Sequence, residues 1–134
     1  MMKVKRDYYR DGTLRYEHPY EHGKPHGIHR NWYENGTLEY EYPYENGKIH
    51  GICRNYHDDG ALHYEERYED GKRHGVQRGW YPDGTLNYEC PYEHGKPHGT
   101  WRTYHADGTL AREERYENGT LVHERRYKNG ERVK

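Results

Sequence analysis

Glycine recurs along this chain with a fixed spacing of 24 residues, and this period constrains the fold more than any other feature. Self-similarity of this kind is typical of repeat architectures, in which each unit packs on its neighbours. Because the period fills the chain, we predict one array over residues 1–134, with 24-residue units and a shortened last unit from about residue 109. The two glycine series are Gly12, Gly36, Gly60, Gly84, Gly108 and Gly23, Gly47, Gly71, Gly95, Gly119.

Each of these glycines follows an asparagine, an aspartate or a histidine, as in Asn35-Gly36 and Asn46-Gly47. Asn-Gly and Asp-Gly between aromatic-rich segments are strong signals for a β-hairpin turn. The turns leave segments of roughly 7–9 residues, which is the length of strands and is short for helices. The sequence therefore predicts an all-β fold, an up-and-down antiparallel meander of about ten or eleven strands.

The composition restricts how such a sheet can be covered. Hydrophobic residues make up 30% of the chain, phenylalanine is absent, and the mean hydropathy is −1.64, values that alone suggest disorder. However, 17 tyrosines and 3 tryptophans are more aromatic residues than disordered chains carry. We therefore expect a single-layer sheet that twists strongly, so that long Tyr, Trp and Arg side chains cover one another.

Two hairpin registers are open for the turns at the first glycine series, which begins with Gly12 and Gly36. We call these the first type of turn, and the turns at the series from Gly23 the second type. A two-residue loop would place Trp32 opposite Glu39 and divide the apolar residues between two faces. A three-residue loop with glycine in a G1 bulge would place Trp32 opposite Leu38 and Arg30 opposite Tyr40. We choose the second register because it gives the sheet one continuous apolar face. It places the glutamate rows on the other, solvated face.

Two motifs carry a resemblance to a known family. They are Tyr-x-Asn/Asp-Gly-Thr-Leu, seen at residues 33–38, and Tyr-x-Asn-Gly-Lys-x-His-Gly, seen at residues 44–51, and they recur along nearly the whole chain. This pattern resembles the variant MORN repeat. The resemblance implies an elongated, twisted β-meander without catalytic residues. Bacterial proteins made only of such repeats resemble antitoxin or immunity components of toxin systems, whereas other MORN proteins are scaffolds or are associated with membranes.

Catalysis and metal binding are not expected. Histidine and the acidic residues recur by repeat position, whereas catalysis needs one asymmetric cluster in a pocket. His26 and His50 are equivalent residues two strands apart, about 9–10 Å, so their ladder cannot converge on a zinc ion. A cross-turn histidine pair remains the alternative for adventitious metal binding. Cys53 and Cys90 lie three strands apart, about 14 Å, beyond the reach of a disulfide. We predict a chain that is not an enzyme, with no cofactor and no metal.

Charge and hydropathy bear on partners. The 22 basic and 23 acidic residues nearly cancel, giving a net charge of −1 and no electrostatic basis for binding nucleic acid. Without a basic amphipathic helix, a membrane surface is not expected as partner. Residues 1–7 lack the apolar segment of a secretory signal, and the two cysteines form no disulfide framework. We therefore predict a cytoplasmic protein, either a monomer or an edge-strand dimer.

The leading hypothesis is a non-catalytic protein-binding module, of antitoxin or immunity type, that occludes a partner toxin. The alternatives are a membrane-surface or lipid-associated protein and a structural scaffold. Tyr, Trp and Arg on a rigid frame are typical of protein-binding hot spots. Trp101 occupies a position held elsewhere by His29 or Cys53, so we expect it to face the polar side of the sheet. The candidate partner-binding residues are Tyr8, Trp32, Tyr56, Trp80, Tyr104, Tyr40, Tyr64, Arg30, Arg54, Arg78 and Trp101.

Overall fold

A computed structural model describes residues 2–133 as one antiparallel sheet of sixteen strands. Twelve strands follow one another across the sheet, and the short strands β3, β6, β9 and β12 each pair with the end of the preceding strand. No helix that could span a lipid bilayer occurs between residues 2 and 133. The strands are β1 (Met2–Tyr8), β2 (Leu14–Glu21), β3 (Lys24–Pro25), β4 (Gly27–Trp32), β5 (Leu38–Glu45), β6 (Lys48–Ile49), β7 (Gly51–Tyr56), β8 (Leu62–Glu69), β9 (Lys72–Arg73), β10 (Gly75–Trp80), β11 (Leu86–Glu93), β12 (Lys96–Pro97), β13 (Gly99–Tyr104), β14 (Leu110–Glu117), β15 (Thr120–Lys128) and β16 (Glu131–Val133).

The all-β meander is confirmed, and the number of strands is larger than predicted for a local reason. Gly27, the first residue of β4, has a φ of +93°, a conformation that only glycine adopts readily, and His26 before it lies between β3 and β4. The same break recurs at Gly51, Gly75 and Gly99, where φ is also positive. One expected strand per repeat is therefore divided into a two-residue piece and a six-residue piece.

The first type of turn has the three-residue loop that the sequence predicts. The backbone N–H of Tyr33 donates to the carbonyl oxygen of Thr37 at 2.8 Å, which closes the loop over residues 34–36. Gly36 has a φ of +87°, and its N–H donates to Tyr33 at 2.9 Å. The Asn35 side chain accepts the N–H of Thr37 at 2.9 Å, which explains the preference for Asn or Asp before this glycine.

The second type of turn is a two-residue type I′ loop. Asn46 and Gly47 have φ values of +50° and +86°, and positive φ at both central residues defines this turn. Asn, Asp and His tolerate this conformation better than other side-chain residues. The corresponding positive-φ residues before glycine are His22, Asp70, His94, Asn118 and Asn129.

The hairpin register differs from the prediction beyond the first pair. Trp32 pairs with Leu38 as expected, but the next pair skips Glu39, which is an extra residue in β5. Arg30 consequently lies opposite Glu41 instead of the predicted tyrosine. A slip of one residue moves a strand's side chains to the opposite face. The expectation of one continuous apolar face is therefore wrong, and the apolar residues are divided between two faces.

We name the two faces by their dominant residues. The tyrosine face carries the buried residues of the sheet, because tyrosine rings from neighbouring strands cover it. The arginine face carries arginines that pair across the strands with glutamates. The tyrosine face includes Tyr16, Tyr20, Tyr40, Tyr42, Tyr44, Tyr64, Tyr68, Tyr88, Tyr92, Tyr116, His29, Cys53, Gln77, Cys90 and Trp101, and the arginine face includes Arg6, Arg30, Arg54, Arg78 and Arg102 with their partner glutamates.

The core lies along the tyrosine face, where one repeat position is occupied by His29, Cys53 and Gln77, exposed by 6%, 1% and 2%. At this position a polar side chain forms a hydrogen bond to the backbone of the preceding long strand, next to the strand break. His29 Nε2 donates to the carbonyl oxygen of Pro19 at 2.7 Å, and Gln77 Nε2 donates to that of Arg67 at 3.2 Å. The same carbonyl oxygens accept the backbone N–H of His26 and His74 at 3.1 and 3.0 Å, so the side chains add a second bond across the strand break.

Trp101 occupies this same repeat position, so the prediction that it faces the polar side is wrong. Its ring packs against Tyr116 on the tyrosine face, with the ring centroids 5.8 Å apart. The error follows from the skipped residue in each hairpin, which reverses the faces. Cys53 and Cys90 are both free and buried, as the distance between their strands requires.

Candidate protein-binding surface

A continuous row of alternating charges crosses the arginine face. Each interior arginine lies directly opposite a glutamate on both neighbouring strands. The guanidinium Nε contacts one of the two carboxylates at 2.9 to 3.1 Å in all five repeats. We call this row the arginine–glutamate ladder, and it runs Arg6, Glu17, Arg30, Glu41, Arg54, Glu65, Arg78, Glu89, Arg102, Glu113 and Arg125.

The ladder forms because each contacting arginine and glutamate are 11 residues apart, across a hairpin that skips one residue. The pairs are partly shielded: the side chains of Arg54 and Glu65 are 38% and 15% exposed. A charge-assisted hydrogen bond of this kind is stronger than a neutral one, although exposure reduces its net contribution to about 1 kcal/mol or less. The main consequence is electrostatic, since the charges of the row nearly cancel.

A row of aromatic residues runs beside the ladder at the strand ends. Each member lies two strands from the next, about 9–10 Å, and opposite a leucine. The first ring is 56% exposed, and the others are half-buried. The aromatic row consists of Tyr8, Trp32, Tyr56, Trp80 and Tyr104.

The backbone of the aromatic row is held by hydrogen bonds between repeats. The Tyr33 hydroxyl donates to the carbonyl oxygen of Tyr56 at 2.7 Å, and Tyr81 donates to that of Tyr104 at 2.7 Å. These bonds fix the strand ends that carry the rings. At the equivalent position His57 has a buried Nε2 without a hydrogen-bond partner among residues 2–133.

Tyrosine hydroxyls of the aromatic row lie near ladder carboxylates. Burial raises the pKa of Tyr56, and the nearby Glu41 carboxylate raises it further, while Arg54 opposes both. The pKa of Tyr104 is raised by burial and then by Glu89. Both hydroxyls therefore remain protonated at neutral pH and can donate hydrogen bonds to a partner.

An aliphatic row flanks the ladder on its other side. Ile28 lies opposite Pro43, and Val76 lies opposite Pro91, while Ile28 is 42% exposed. The arginine face thus carries three parallel rows, which are aromatic, ionic and aliphatic. We call them together the three-row surface. Its aliphatic row contains Val4, Ile28, Ile52 and Val76, with Pro19, Pro43 and Pro91 opposite.

The structure separates the predicted partner-binding residues into two groups. Eight of them lie on the three-row surface, namely Tyr8, Trp32, Tyr56, Trp80, Tyr104, Arg30, Arg54 and Arg78. The other three, Tyr40, Tyr64 and Trp101, lie on the tyrosine face. The ladder glutamates, which the sequence reading placed on a separate solvated face, are the direct partners of the arginines. The signal that could have found them is the constant spacing of 11 residues.

Tyr40 and Tyr64 pack within the tyrosine face. The Tyr40 ring stacks on that of Tyr42 with centroids 4.3 Å apart, and burial raises the pKa of Tyr40. The Tyr42 hydroxyl donates to the Asn55 side chain at 2.8 Å and lies 3.3 Å from the Tyr64 hydroxyl. These contacts give both residues a packing role.

The chemistry of the titratable groups is mild. Within the part of the chain that the structure describes, no group of three or more His, Cys, Asp or Glu residues is arranged to hold a metal ion. Burial raises the pKa of the Cys53 and Cys90 thiols to about 12, so both are protonated at neutral pH. A protonated, buried thiol is a poor nucleophile.

The repeat pattern is matched by a family model described as MORN repeat variant, over residues 4–22, 25–48, 49–71, 73–94, 97–118 and 111–129. No curated protein matches the chain. Among solved structures, a crystal structure of TarM is 19% identical over 77% of this chain, with a TM-score of 0.44. A mutant of S. aureus TarM in complex with fondaparinux, alpha-GlcNAc-glycerol and UDP is 15% identical over 88% of it, with a TM-score of 0.45. The chain spans 20% of the length of each of these two proteins.

Proposed function

The chain belongs to the MORN repeat variant family, and from this premise we propose that it is a non-catalytic protein-binding module of antitoxin or immunity type. In this proposal it occludes the active surface of a toxin by docking its three-row surface against it. In the same proposal the partner is a protein, the complex forms in the cytoplasm, and no cofactor takes part.

The observation that carries the proposal is the row of aromatic rings beside a ladder that is nearly neutral in charge. Trp, Tyr and Arg are the residue types that dominate protein-binding hot spots. Because five of the six ladder arginines are paired with a glutamate, as Arg30 is with Glu41 at 3.0 Å, the surface presents rings and guanidinium planes with little net charge. Such a surface favours a protein partner over nucleic acid, which needs uncompensated positive charge.

Rigidity supports the same proposal. The hydrogen bonds from Tyr33 to Tyr56 and from Tyr81 to Tyr104 hold the strand ends that carry the aromatic row. A surface that is ordered before binding loses less conformational entropy when it docks. A pre-ordered surface therefore suits a protein that acts by occlusion, where affinity alone determines the effect.

The test compares how well the chain neutralises a toxin when tryptophans are replaced by alanine on one face of the sheet or on the other. The product of the adjacent gene, taken as the candidate toxin, is co-expressed with the wild-type chain or with a Trp32→Ala/Trp80→Ala variant, and cell growth and complex affinity are measured. Loss of two aromatic hot spots is expected to weaken the complex at least about 30-fold and to abolish rescue.

A Trp101→Ala variant serves as the control, since it removes the same side chain from the tyrosine face. It is expected to retain the complex. Loss of binding in this control alone would move the interface to the tyrosine face, and a wild-type chain that forms no complex and rescues no growth would refute the proposed function.

A further inference from the structure

The arginine–glutamate ladder begins at the β1 edge with an arginine that has one glutamate neighbour. Interior members such as Arg30 lie opposite glutamates on both sides, Glu17 and Glu41. Arg6 lies opposite Glu17 alone, because β1 pairs only with β2 within residues 2–133. Its side chain is correspondingly 48% exposed, against 34% for Arg30. The ladder is thus open at this edge for one more acidic residue.

The interior repeats define the segment that would fit there. Strand β1 has the same place in its repeat as β4, and β4 receives Tyr16 opposite Asn31 and Glu17 opposite Arg30. Strands β7, β10 and β13 each receive a Tyr-Glu dipeptide in the same register. The dipeptides are Tyr16-Glu17, Tyr40-Glu41, Tyr64-Glu65 and Tyr88-Glu89.

We propose that the free side of β1 binds an extended acidic segment of a partner protein as an added strand. The segment places a glutamate opposite Arg6 and an aromatic residue opposite Asp7, continuing the register of the sheet. Addition of a strand to a sheet edge is an established mode of peptide binding, in which backbone bonds supply affinity and side chains supply specificity. The inference rests on the proposed function and names the chemistry of the partner.

Charge and shape at this edge favour an acidic segment. Strand β1 carries Lys3, Lys5 and Arg6 against one acidic residue. A cavity of about 490 Å³ beside it is lined by Lys3, Val4, Lys5 and Tyr20, and the Lys5 ammonium lies 4.7 Å from the centre of the Tyr20 ring. Lys3, Lys5 and Tyr20 lie on the tyrosine face, so the aromatic residue of the added strand would meet ammonium groups and apolar surface there. Its glutamate would meet the opposite charge of Arg6 on the arginine face.

A second copy of the chain does not fit this edge. The opposite edge of the sheet is the three-residue strand β16, so the full-length edge that a second copy could share is β1 itself. Pairing of β1 with β1 of a second copy would bring Lys3, Lys5 and Arg6 of both copies together. Like charges directly opposite across a strand pair are destabilising. The same conflict argues against an edge-strand dimer.

The experiment uses the chain itself to supply the probe. A labelled, capped peptide with the sequence of residues 38–45 contains the Tyr-Glu dipeptide in its natural strand. Fluorescence anisotropy measures its affinity for the wild-type chain. A Glu41→Arg peptide is expected to bind about tenfold more weakly, because a favourable cross-strand pair becomes a repulsive one. A peptide with methylated backbone nitrogens, which cannot form the β-ladder, is expected to lose binding.

A single variant at the exposed edge keeps the proposal testable at a small cost to the fold. Arg6→Glu inverts the charge offered to the added strand and leaves Glu17 opposite Arg30, and circular dichroism checks that the sheet is retained. This variant is expected to prefer the Glu41→Arg peptide over the original peptide. Equal affinity for the two peptides, or no saturable binding up to about 1 mM, would overturn the proposal.

Two further outcomes separate this inference from the proposed function. If the peptide fails to bind while the Trp32→Ala/Trp80→Ala variant still loses the toxin, the edge site is wrong and the proposed function stands. If the peptide binds with the expected charge dependence while the toxin is not bound, the edge site stands alone. A dimer in sedimentation that the peptide dissociates would assign the edge to a second copy and overturn the proposal.

Discussion

One repeat position tests whether hydrogen bonds between repeats hold the aromatic row. Tyrosine occupies this position at Tyr33 and Tyr81, and each hydroxyl donates to a backbone carbonyl of the next repeat at 2.7 Å. His57 occupies it in the middle of the array, and its buried Nε2 has no partner among the described residues. The substitution His57→Tyr is expected to place a hydroxyl within reach of the carbonyl oxygen of Trp80.

The magnitude follows from two contributions. A new intramolecular hydrogen bond contributes about 1 kcal/mol, and removal of an unpaired buried nitrogen contributes about another 1 kcal/mol. The free energy of unfolding should therefore rise by ~1–2 kcal/mol, which for a chain of this size raises Tm by about 3–8 °C. The measurement is urea unfolding followed by tyrosine and tryptophan fluorescence, together with a thermal melt by circular dichroism.

Matched variants separate the hydrogen bond from packing. His57→Phe removes the unpaired nitrogen without adding a hydroxyl, so it should gain about half as much. Tyr33→Phe should lose about 1 kcal/mol, because the carbonyl of Tyr56 then loses its donor. The reasoning is refuted if His57→Tyr is no more stable than His57→Phe, since the hydroxyl would then make no bond between repeats.

Three other predictions follow from buried groups. Burial lowers the pKa of His29, so near pH 6.5 the unfolded chain binds a proton that the folded chain excludes. The free energy of unfolding should therefore fall as the pH is lowered from about 7.5 to 5.5. His29→Gln should flatten this dependence, as measured by urea unfolding at both pH values. Burial raises the pKa of the Cys53 and Cys90 thiols to about 12, so few of them are thiolates at pH 8. Because the thiolate is the reactive form, they should react with a disulfide reagent at least about 100-fold more slowly in the native chain than in urea. Comparable rates would contradict their burial. Gly79→Ala should destabilise the chain by about 1–3 kcal/mol in the same urea assay, because a Cβ there would overlap the ring of Tyr88; an unchanged midpoint would mean that the ring moves freely.

The turns were predictable because their determinants are local. Asn35-Gly36 and Asn46-Gly47 need positive φ at glycine, and a sequence of two to four residues carries that information. The meander follows from these turns, since short strands between tight turns can only pair with their neighbours. Family membership follows from the same local motifs, which recur with a fixed period.

The register was not predictable from apolar pattern alone, because the extra residue Glu39 has no local signature. The apolar residues Trp32 and Leu38 favour one register, and the structure adopts it only at that pair. Beyond the bulge, pairing is decided by interactions that the hydrophobic pattern does not record. Arg30 pairs with Glu41 on the neighbouring strand, and the adjacent residue His29 is buried on the tyrosine face.

Charge gives the reason for preferring the observed register. In the predicted register Arg30 would lie opposite a tyrosine, and Glu41 would point to the other face without a basic partner. In the observed register every interior ladder arginine lies between two glutamates, as Arg54 does between Glu41 and Glu65. A chain with few aliphatic residues has little hydrophobic energy with which to select a register, so repeated ion pairs of modest individual strength determine it in sum. The same alternation leaves a charged position open wherever the ladder stops, and Arg6 at the β1 edge is such a position.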